Sequence, residues 1–311
     1  MNLLIRTAPW RLPTRLALAS LLAAAALLPV RATTGETGSC TLGTELHLSA
    51  PASSQGSLLL VEVKTTKPLA QATGEWNSRS VPLWKDAGNT GEERGLLGVD
   101  LEQAPGKYEF KLTGQTSTGE KISCSASLEV SAGHFATEKL HVSKQFVEPS
   151  PEQIKRANEE RQKLRDIFDH VTPGRLWDGK FRIPLDGVTT GGNFGKRRIL
   201  NGQPGSPHSG VDFPSPAGTP VHAAQRGRVA LAEELFFSGN TVVIDHGLGI
   251  YTFYGHLSEI DVKVGDALES GQVLGKVGAT GRVTGPHLHW GLTVERARVD
   301  PLQLVKLLDN Q

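Results

Sequence analysis

Short alternating segments separated by glycine-rich turns make up the C-terminal part of the chain. After about Trp177 these segments are "TPVHAA", "GRVALAEE", "NTVVIDHG", "GIYTFYGHL", "GQVLGKVG" and "HLHWGLTV". Alternation with a period of two residues is typical of half-buried strands, and glycine permits the tight turns between them. No helical pattern interrupts this run before the last few residues. We therefore predict a turn-rich, mostly antiparallel β domain over residues 176–311.

Two histidines, His287 and His289, lie in the segment "TGPHLHWGL". Residues i and i+2 of a strand point to the same face, so both imidazoles share one side. Leu288 and Trp290 would then face the opposite way, into packing. The pattern alone leaves two interpretations open. The pair is either two surface residues on a polar face or two imidazoles that share a functional cavity.

A carboxylate and another imidazole lie four residues apart in "SPHSGVDFPSPAGTPV", as His208 and Asp212. The prolines and glycine of this stretch disfavour a continuous helix, so it is predicted to be a loop that enters a strand. Together with one histidine of "HLH", His208 and Asp212 would supply two nitrogens and one carboxylate oxygen. That is the ligand set of an open zinc site with water in the fourth place.

The remaining histidine of "HLH" would lie beside such a metal without binding it. A zinc ion lowers the pKa of its water to about 7 and polarises a carbonyl, and amide hydrolysis also needs a group that moves protons. His256 in "YGHL" is a second candidate for that work, because imidazole titrates near neutral pH.

Taken in order, "HSGVD", "YGHL" and "TGPHLHW" resemble the lysostaphin/LytM-type zinc metallopeptidases. The framing stretches "NFGKRR", "GTPVHAAQRGRV", "SGNTVVIDHG" and "VKVGDALESGQVLGKVGATG" fit the same family. The resemblance is dense from about Phe181 to Pro301. The β region and helix before it look like the N-terminal module of some secreted Gram-negative members.

This resemblance implies a role for each matching residue. It makes His208, Asp212 and His289 the ligands of one zinc ion per chain, and His256 and His287 the catalytic histidines. Two further histidines of this region match no functional position of the family and are interpreted as structural, namely His222 and His246.

The family implies an antiparallel sheet with a groove over the metal and hydrolysis of peptide bonds in peptidoglycan cross-links. Two alternatives remain: a non-catalytic wall-binding or amidase-activating protein of the same fold, and an extracellular protease for glycine-rich proteins.

Some members use a tyrosine to assist the oxyanion. No tyrosine lies in "TGGNFGKRRILNG", so the group that assists the oxyanion stays open, and Asn193 and Arg197 are named as candidates for substrate binding.

The preceding part of the chain is predicted to form two further units. Residues 33–145 contain short alternating segments such as "SLLLVEVKT" and "SASLEVS" and are predicted to be an Ig-like β-sandwich. Residues 146–175 are predicted to be a helical connector, with Ser150 as N-cap, Pro151 at the first helical position and Gln153 completing a capping box. Its apolar stripe is predicted to consist of Ile154, Ala157, Leu164, Ile167 and Phe168.

Residues 1–32 have the pattern of a secretory signal peptide. They contain four arginines, no acidic residue and an apolar run of 15 residues, followed by Val30 and Ala32 at the −3 and −1 positions of a cleavage site. The alternative is a retained N-terminal anchor, although the run is short for a membrane span. Without these arginines the formal net charge of +1 becomes −3, which argues against a nucleic-acid ligand. The prediction is a periplasmic or extracellular protein.

The chain contains two cysteines, Cys40 and Cys124. An even count in an exported protein favours one disulfide. A lipid anchor on Cys40 is the alternative, but "ETGSC" lacks the apolar residue usually found three positions before a lipidated cysteine.

Overall fold

The computed structural model describes residues 38–85, 91–189 and 191–309. The predicted signal peptide therefore lies outside the described residues. Within the described residues, no helix combines the length and apolar character that a membrane crossing requires. The strands of the N-terminal region are β1 (Ser39–Cys40), β2 (Thr44–Leu48), β3 (Ala52–Ser54), β4 (Leu58–Thr65), β5 (Leu69–Trp76), β6 (Arg79–Lys85), β7 (Glu92–Gly98), β8 (Gly106–Thr116) and β9 (Lys121–Ser131).

These strands pair in the order β1-β9-β8-β5-β6-β7-β4-β2, with β3 beside β9. Strand β6 pairs with β5 up to Pro82 and with β7 from Leu83, so the sheet folds over on itself there. Side chains from both halves meet in one core that includes Leu46, Val61 and Phe110. The alternating pattern thus buries one face of each strand, as a sandwich requires. The mostly β fold is confirmed, whereas the Ig-like description stays a prediction.

The predicted disulfide between Cys40 and Cys124 is confirmed. It joins β1 to β9 at positions that lie directly opposite each other in the antiparallel pair. Cys124 is almost fully buried in the sandwich core. The bond therefore attaches the first strand of the described chain to the centre of the sandwich.

The connecting segment consists of β10 (Thr137–Leu140), a 3-10 turn (Lys144–Phe146) and α1 (Pro151–Asp169). The predicted capping box is confirmed, since the Ser150 side chain accepts from the backbone of Gln153 and the Gln153 side chain accepts from the backbone of Ser150. Three of the predicted stripe residues pack against Leu231, Leu235, Val243 and Tyr251, namely Leu164, Ile167 and Phe168. Ala157 is buried as predicted, whereas the prediction for Ile154 is wrong, because this residue is 47% exposed.

The C-terminal region confirms the predicted antiparallel β domain. Its main sheet has the order β13-β20-β17-β16-β15-β18, and its neighbouring strands are antiparallel. The elements are β11 (Arg197–Leu200), β12 (Gln203–Pro204), β13 (Gly210–Pro214), β14 (Pro220–His222), β15 (Gly227–Leu235), β16 (Gly239–Asp245), β17 (Ile250–Ile260), β18 (Ala267–Leu268), β19 (Val273–Val277), β20 (His287–Val294), β21 (Ala297–Val299) and α2 (Pro301–Asp309).

The two β regions share a core. Leu58, Leu60 and Trp84 of the sandwich belong to the same buried cluster as Trp177 and Trp290. The rings of Trp84 and Trp177 lie 5.4 Å apart, between centroids. The predicted division into residues 33–145, 146–175 and 176–311 stays a prediction, and the shared core indicates that the parts stabilise one another.

A buried carboxylate in the turn between β20 and β21 predicts a pH effect on stability. Glu295 is 7% exposed, and its Oε1 has no hydrogen-bond partner among the described residues. Burial raises the pKa of Glu295 to about 7, and the neighbouring Arg296 and Arg79 oppose this only in part. Between pH 4.5 and 7 the folded protein keeps this proton while the unfolded chain loses it, so stability falls as pH rises through that window.

Glu295→Gln should remove the loss of stability that accompanies ionisation of Glu295 as pH rises. We expect the free energy of unfolding to rise by roughly 1–3 kcal/mol at about pH 8 and to change little near pH 4. Urea unfolding at both pH values measures the difference. A shift of equal size at the two pH values would show that ionisation of Glu295 is not the cause.

Candidate functional site

The "HLH" segment opens β20, and its side chains divide between two faces as predicted. Leu288 and Trp290 are fully buried in the shared core. His287 and His289 lie on the other face and remain partly exposed, with side-chain exposures of 16% and 13%. The strand-face argument is therefore confirmed, and the interpretation as two independent surface residues is wrong.

Strand register brings three donor atoms together. In the antiparallel pair of β13 and β20, Asp212 lies directly opposite His289. Asp212 Oδ1 is 3.0 Å from His289 Nδ1 and 3.0 Å from Nε2 of His208, which stands in the loop before β13. The two ring nitrogens are 2.8 Å apart. These three side chains are the group in the described residues whose donor atoms could hold a metal ion, all within 4.8 Å of one another.

A backbone carbonyl orients the His208 ring. The carbonyl oxygen of Asn193 accepts a hydrogen bond of 2.8 Å from His208 Nδ1, so that nitrogen carries the proton. The lone pair of Nε2 is therefore free and faces Asp212. Burial is the main cause that lowers the pKa of His208 to about 4, which keeps the ring neutral at pH 7. A neutral imidazole with this tautomer is the form that ligates a metal.

The Asp212 carboxylate has partners on both oxygens. Burial alone would raise its pKa, but the adjacent His208 and His289 rings outweigh burial and hold the pKa of Asp212 well below its usual range. Its second oxygen, Oδ2, accepts from the Arg198 guanidinium at 3.3 Å. Asp212 is thus ionised at neutral pH and offers Oδ1 to the centre of the group.

His256 and His287 stand beside these three side chains. Their ring centroids are 4.8 Å apart, and the ring of His256 is 5.9 Å from that of His289. Nδ1 of His256 donates to the carbonyl of Thr280 at 2.9 Å, and Nδ1 of His287 donates to the carbonyl of Gly285 at 2.8 Å. Each ring therefore keeps Nε2 as a free acceptor. Burial, followed by the nearby His289 and His287, lowers the pKa of His256 to about 3, so this ring is neutral at pH 7.

A local break in β17 turns His256 toward the site. Gly255 lies opposite His289, so its successor in a regular strand would point to the opposite face, into the core. His256 instead has φ of 64°, and the register of β17 shifts against β16 between Tyr254 and Leu257 and against β19 between Leu257 and Glu259. A bulge of this kind redirects a side chain at the cost of backbone strain, and both features are frequent at functional sites.

The five side chains lie between two cavities that together form a groove. One cavity of about 290 Å³ is lined by His208, His289, Phe237, Phe253 and, from α1, Leu164 and Phe168. The other, of about 260 Å³, is lined by Asp212, His287, Pro286 and, from the connecting segment, Glu138, Leu140 and Val142. His256, Arg198 and Arg282 line both. The connecting segment therefore contributes to both ends of the groove.

The two residues predicted for substrate binding have different positions. Asn193 lines the second cavity and also holds His208 through its carbonyl. Arg197 has an exposed side chain and lines neither cavity. The sequence interpretation missed its neighbour Arg198, and it missed Arg282 and the carbonyl of Thr280. The dipeptide "RR" in a strand indicates that one of the two arginines faces inward, since consecutive strand residues point to opposite faces. The sequence does not say which of the two it is.

The other histidines and the tyrosines lie outside the group. His222 donates through Nδ1 to the carbonyl of Gly271, and buried His246 bonds to the Arg226 carbonyl and to the Thr252 hydroxyl. Tyr108, Tyr251 and Tyr254 donate or accept hydrogen bonds elsewhere. None of the three lines either cavity of the groove.

Gly210 makes room for the His289 ring. A Cβ at this position would lie 2.6 Å from the Trp290 carbonyl oxygen and 2.7 Å from His289 Cε1. Gly210→Ala should therefore push His289 away from Asp212 and lower the affinity of these three side chains for a metal ion by roughly 10–100-fold, as loss of support behind a ligand does. Competition with a chelator measures this. Gly192→Ala is the matched control, because a Cβ there meets nothing within 4 Å; equal losses in both variants would contradict the explanation.

Residues 206–301 match the model of Peptidase family M23, a stretch that includes His208, Asp212, His256, His287 and His289. A solved peptidase M23 structure from Pseudomonas aeruginosa aligns with a TM-score of 0.62 and 31% identity, covering 82% of this chain and 95% of that one. This alignment extends well beyond the matched stretch.

Curated relatives include the Vibrio cholerae peptidoglycan DD-endopeptidases ShyA and ShyC. ShyA is 33% identical over 67% of this chain and 44% of its own length, and ShyC is 41% identical over 39% and 28%. The DD-carboxypeptidase/endopeptidase Mpg of Neisseria meningitidis is 39% identical over 31% of this chain and 22% of its own length. The chain thus spans less than half the length of each of these relatives. From the match over the site and the solved structure that this chain covers almost completely, we conclude that it belongs to peptidase family M23.

Proposed function

We propose that this protein is a zinc endopeptidase that hydrolyses peptide bonds in peptidoglycan cross-links. The observation that supports this most is the convergence of His208 Nε2, His289 Nδ1 and Asp212 Oδ1 beside two histidines with free Nε2 atoms. Two imidazole nitrogens and one carboxylate oxygen suit zinc and leave a position open for substrate and water. Relatives named as peptidoglycan DD-endopeptidases support the substrate class.

The residues of the site would have three roles: metal binding, proton transfer and orientation of a ligand. His208, Asp212 and His289 would hold the zinc ion. When bound, zinc polarises the peptide carbonyl and lowers the pKa of a water molecule. His256 and His287 would accept the proton of the attacking water at Nε2 and deliver it to the leaving amine, since their Nδ1 protons are held by backbone carbonyls. Arg198 would orient Asp212 through its hydrogen bond to Oδ2.

A peptidoglycan substrate requires export. Residues 1–32 are the predicted signal, and a periplasmic or extracellular location is part of this proposal. The alternative as a non-catalytic amidase activator has less support, because all three donor groups and both adjacent histidines are in place.

The test uses the full chain, loaded with zinc, on purified cross-linked muropeptides of known structure. Mass analysis should detect products that differ from the substrate by one water, split at a cross-linking amide. Treatment with a chelator should abolish the products, and added zinc should restore them. A folded chain that binds zinc and releases nothing from these substrates would disprove the proposal.

A further inference from the structure

Arg282 is a partly buried cation, placed next to the proposed catalytic histidines. It lies in the segment between β19 and β20, and its side chain lines both cavities together with His256 and Arg198. Among the described residues, its guanidinium has no ion pair and no hydrogen bond. The guanidinium carbon lies 4.6 Å from the ring centroid of Phe237, which fixes the side chain by stacking.

The neighbouring Arg198 differs in this respect. Its charge is balanced by Asp212, which accepts from it at 3.3 Å, and by the nearby Glu138. Glu138 is itself paired with Lys196 at 3.3 Å. The positive charge of Arg198 therefore has partners, whereas that of Arg282 has none within residues 38–85, 91–189 and 191–309 and is also repelled by Arg198.

An unbalanced cation in a partly buried position is unfavourable for folding. Burial, followed by repulsion from Arg198, lowers the pKa of Arg282 to about 10, and the group still carries its charge at neutral pH. A bound zinc ion would add to the positive potential. An anion entering the groove would compensate this cost, and a guanidinium presents parallel N–H donors that match the two oxygens of a carboxylate.

We propose that Arg282, which lines the groove together with Arg198, binds a free carboxylate on a residue that flanks the cleaved amide. This rests on the proposed endopeptidase function and names its substrate class. The preferred substrates are cross-link peptides that keep a free carboxylate beside the cleaved bond, and bridges made only of uncharged glycine are poor substrates. Because Arg282 shares both cavities with His256, the bound carboxylate lies next to the groups that move the proton.

The test compares two synthetic cross-link peptides that differ only in this group, a free carboxylate in one and a primary amide in the other. For the zinc-loaded full chain, kcat/KM for the acid should exceed that for the amide by about 10–100-fold, the usual effect of a hydrogen bond to a charged group. In Arg282→Gln this ratio should fall to near one. Arg282→Lys should keep part of the preference, because the charge remains while the planar fork is lost.

Arg175→Gln is the matched control, since Arg175 also stacks on an aromatic ring, that of Trp177 at 5.7 Å, but lies outside the groove. It should leave the ratio of the two substrates unchanged. A wild-type protein without preference for the acid, or an unchanged ratio in folded Arg282→Gln, overturns the inference while the endopeptidase proposal stands.

Calorimetric binding of the same two peptides separates the two proposals. If zinc-loaded wild type cleaves neither peptide, the endopeptidase proposal fails. The affinities for the acid and the amide peptide then test the carboxylate site by themselves. Tighter binding of the acid that disappears in Arg282→Gln supports a carboxylate site in the groove. Equal binding of acid and amide by the wild type rejects it.

Discussion

Alanine at Asp212, His208 or His289 should release zinc from the chain, whereas alanine at His256 or His287 should leave zinc bound and still slow turnover. The expected loss in the second group is roughly 10²–10⁴-fold, the usual contribution of a general acid or base. The reason is geometric. The first three residues point their donor atoms at one another within 3.0 Å, while His256 and His287 stand beside them, with His287 Nε2 farther from Asp212 Oδ1, at 3.7 Å.

The measurement is zinc per chain together with turnover for all five variants, with folding followed by circular dichroism. His222→Ala is the matched control, because His222 bonds to the Gly271 carbonyl outside the groove and should keep both zinc and rate. The most informative contrast lies within "HLH". If His287→Ala releases zinc and His289→Ala retains it, the two roles are exchanged and the assignment of the ligands is wrong.

Removal of the disulfide should destabilise the protein by about 4 kcal/mol on the chain-entropy model, since the bond closes a loop over a sequence separation of 84 residues. The variant for this test carries Cys40→Ala and Cys124→Ala, which avoids a buried hydroxyl at position 124. Urea unfolding should show a lower midpoint for the variant than for the oxidised wild type.

A reducing agent supplies the control for the disulfide. It should lower the midpoint of the wild type toward that of the variant and have no effect on the variant itself. This comparison separates the loss of the bond from the loss of two sulfur atoms in the core. Equal midpoints for wild type and variant under oxidising conditions would contradict the expected stabilisation.

Much of the candidate site followed from local patterns in the sequence. The period of two residues placed His287 and His289 on one face and Leu288 and Trp290 on the other, because strand geometry depends on the local backbone alone. The helix cap at Ser150 also followed from local residue preferences, whereas the disulfide followed from the presence of two cysteines in a chain predicted to be exported. The resemblance to known zinc peptidases then linked distant segments in the correct family.

The partners of these residues depended on contacts between distant segments. The sequence "RR" did not show that Arg198 faces Asp212 while Arg197 faces solvent, since this depends on how β11 lies against its neighbours. The approach of Arg282 to Phe237 likewise joins segments 45 residues apart in sequence. No periodicity within a single strand carries this information.

Local sequence patterns were sufficient to predict the element types, the donor residues and the face of β20 that carries His287 and His289. Contacts between distant segments were needed to show that Asp212 lies opposite His289, that a bulge with φ of 64° turns His256 out of the core, and that the connecting segment lines both ends of the groove. Alternation and capping are properties of neighbouring residues. Strand register, bulges and the shared core depend on packing between segments far apart in the chain, where many small contacts together select one arrangement.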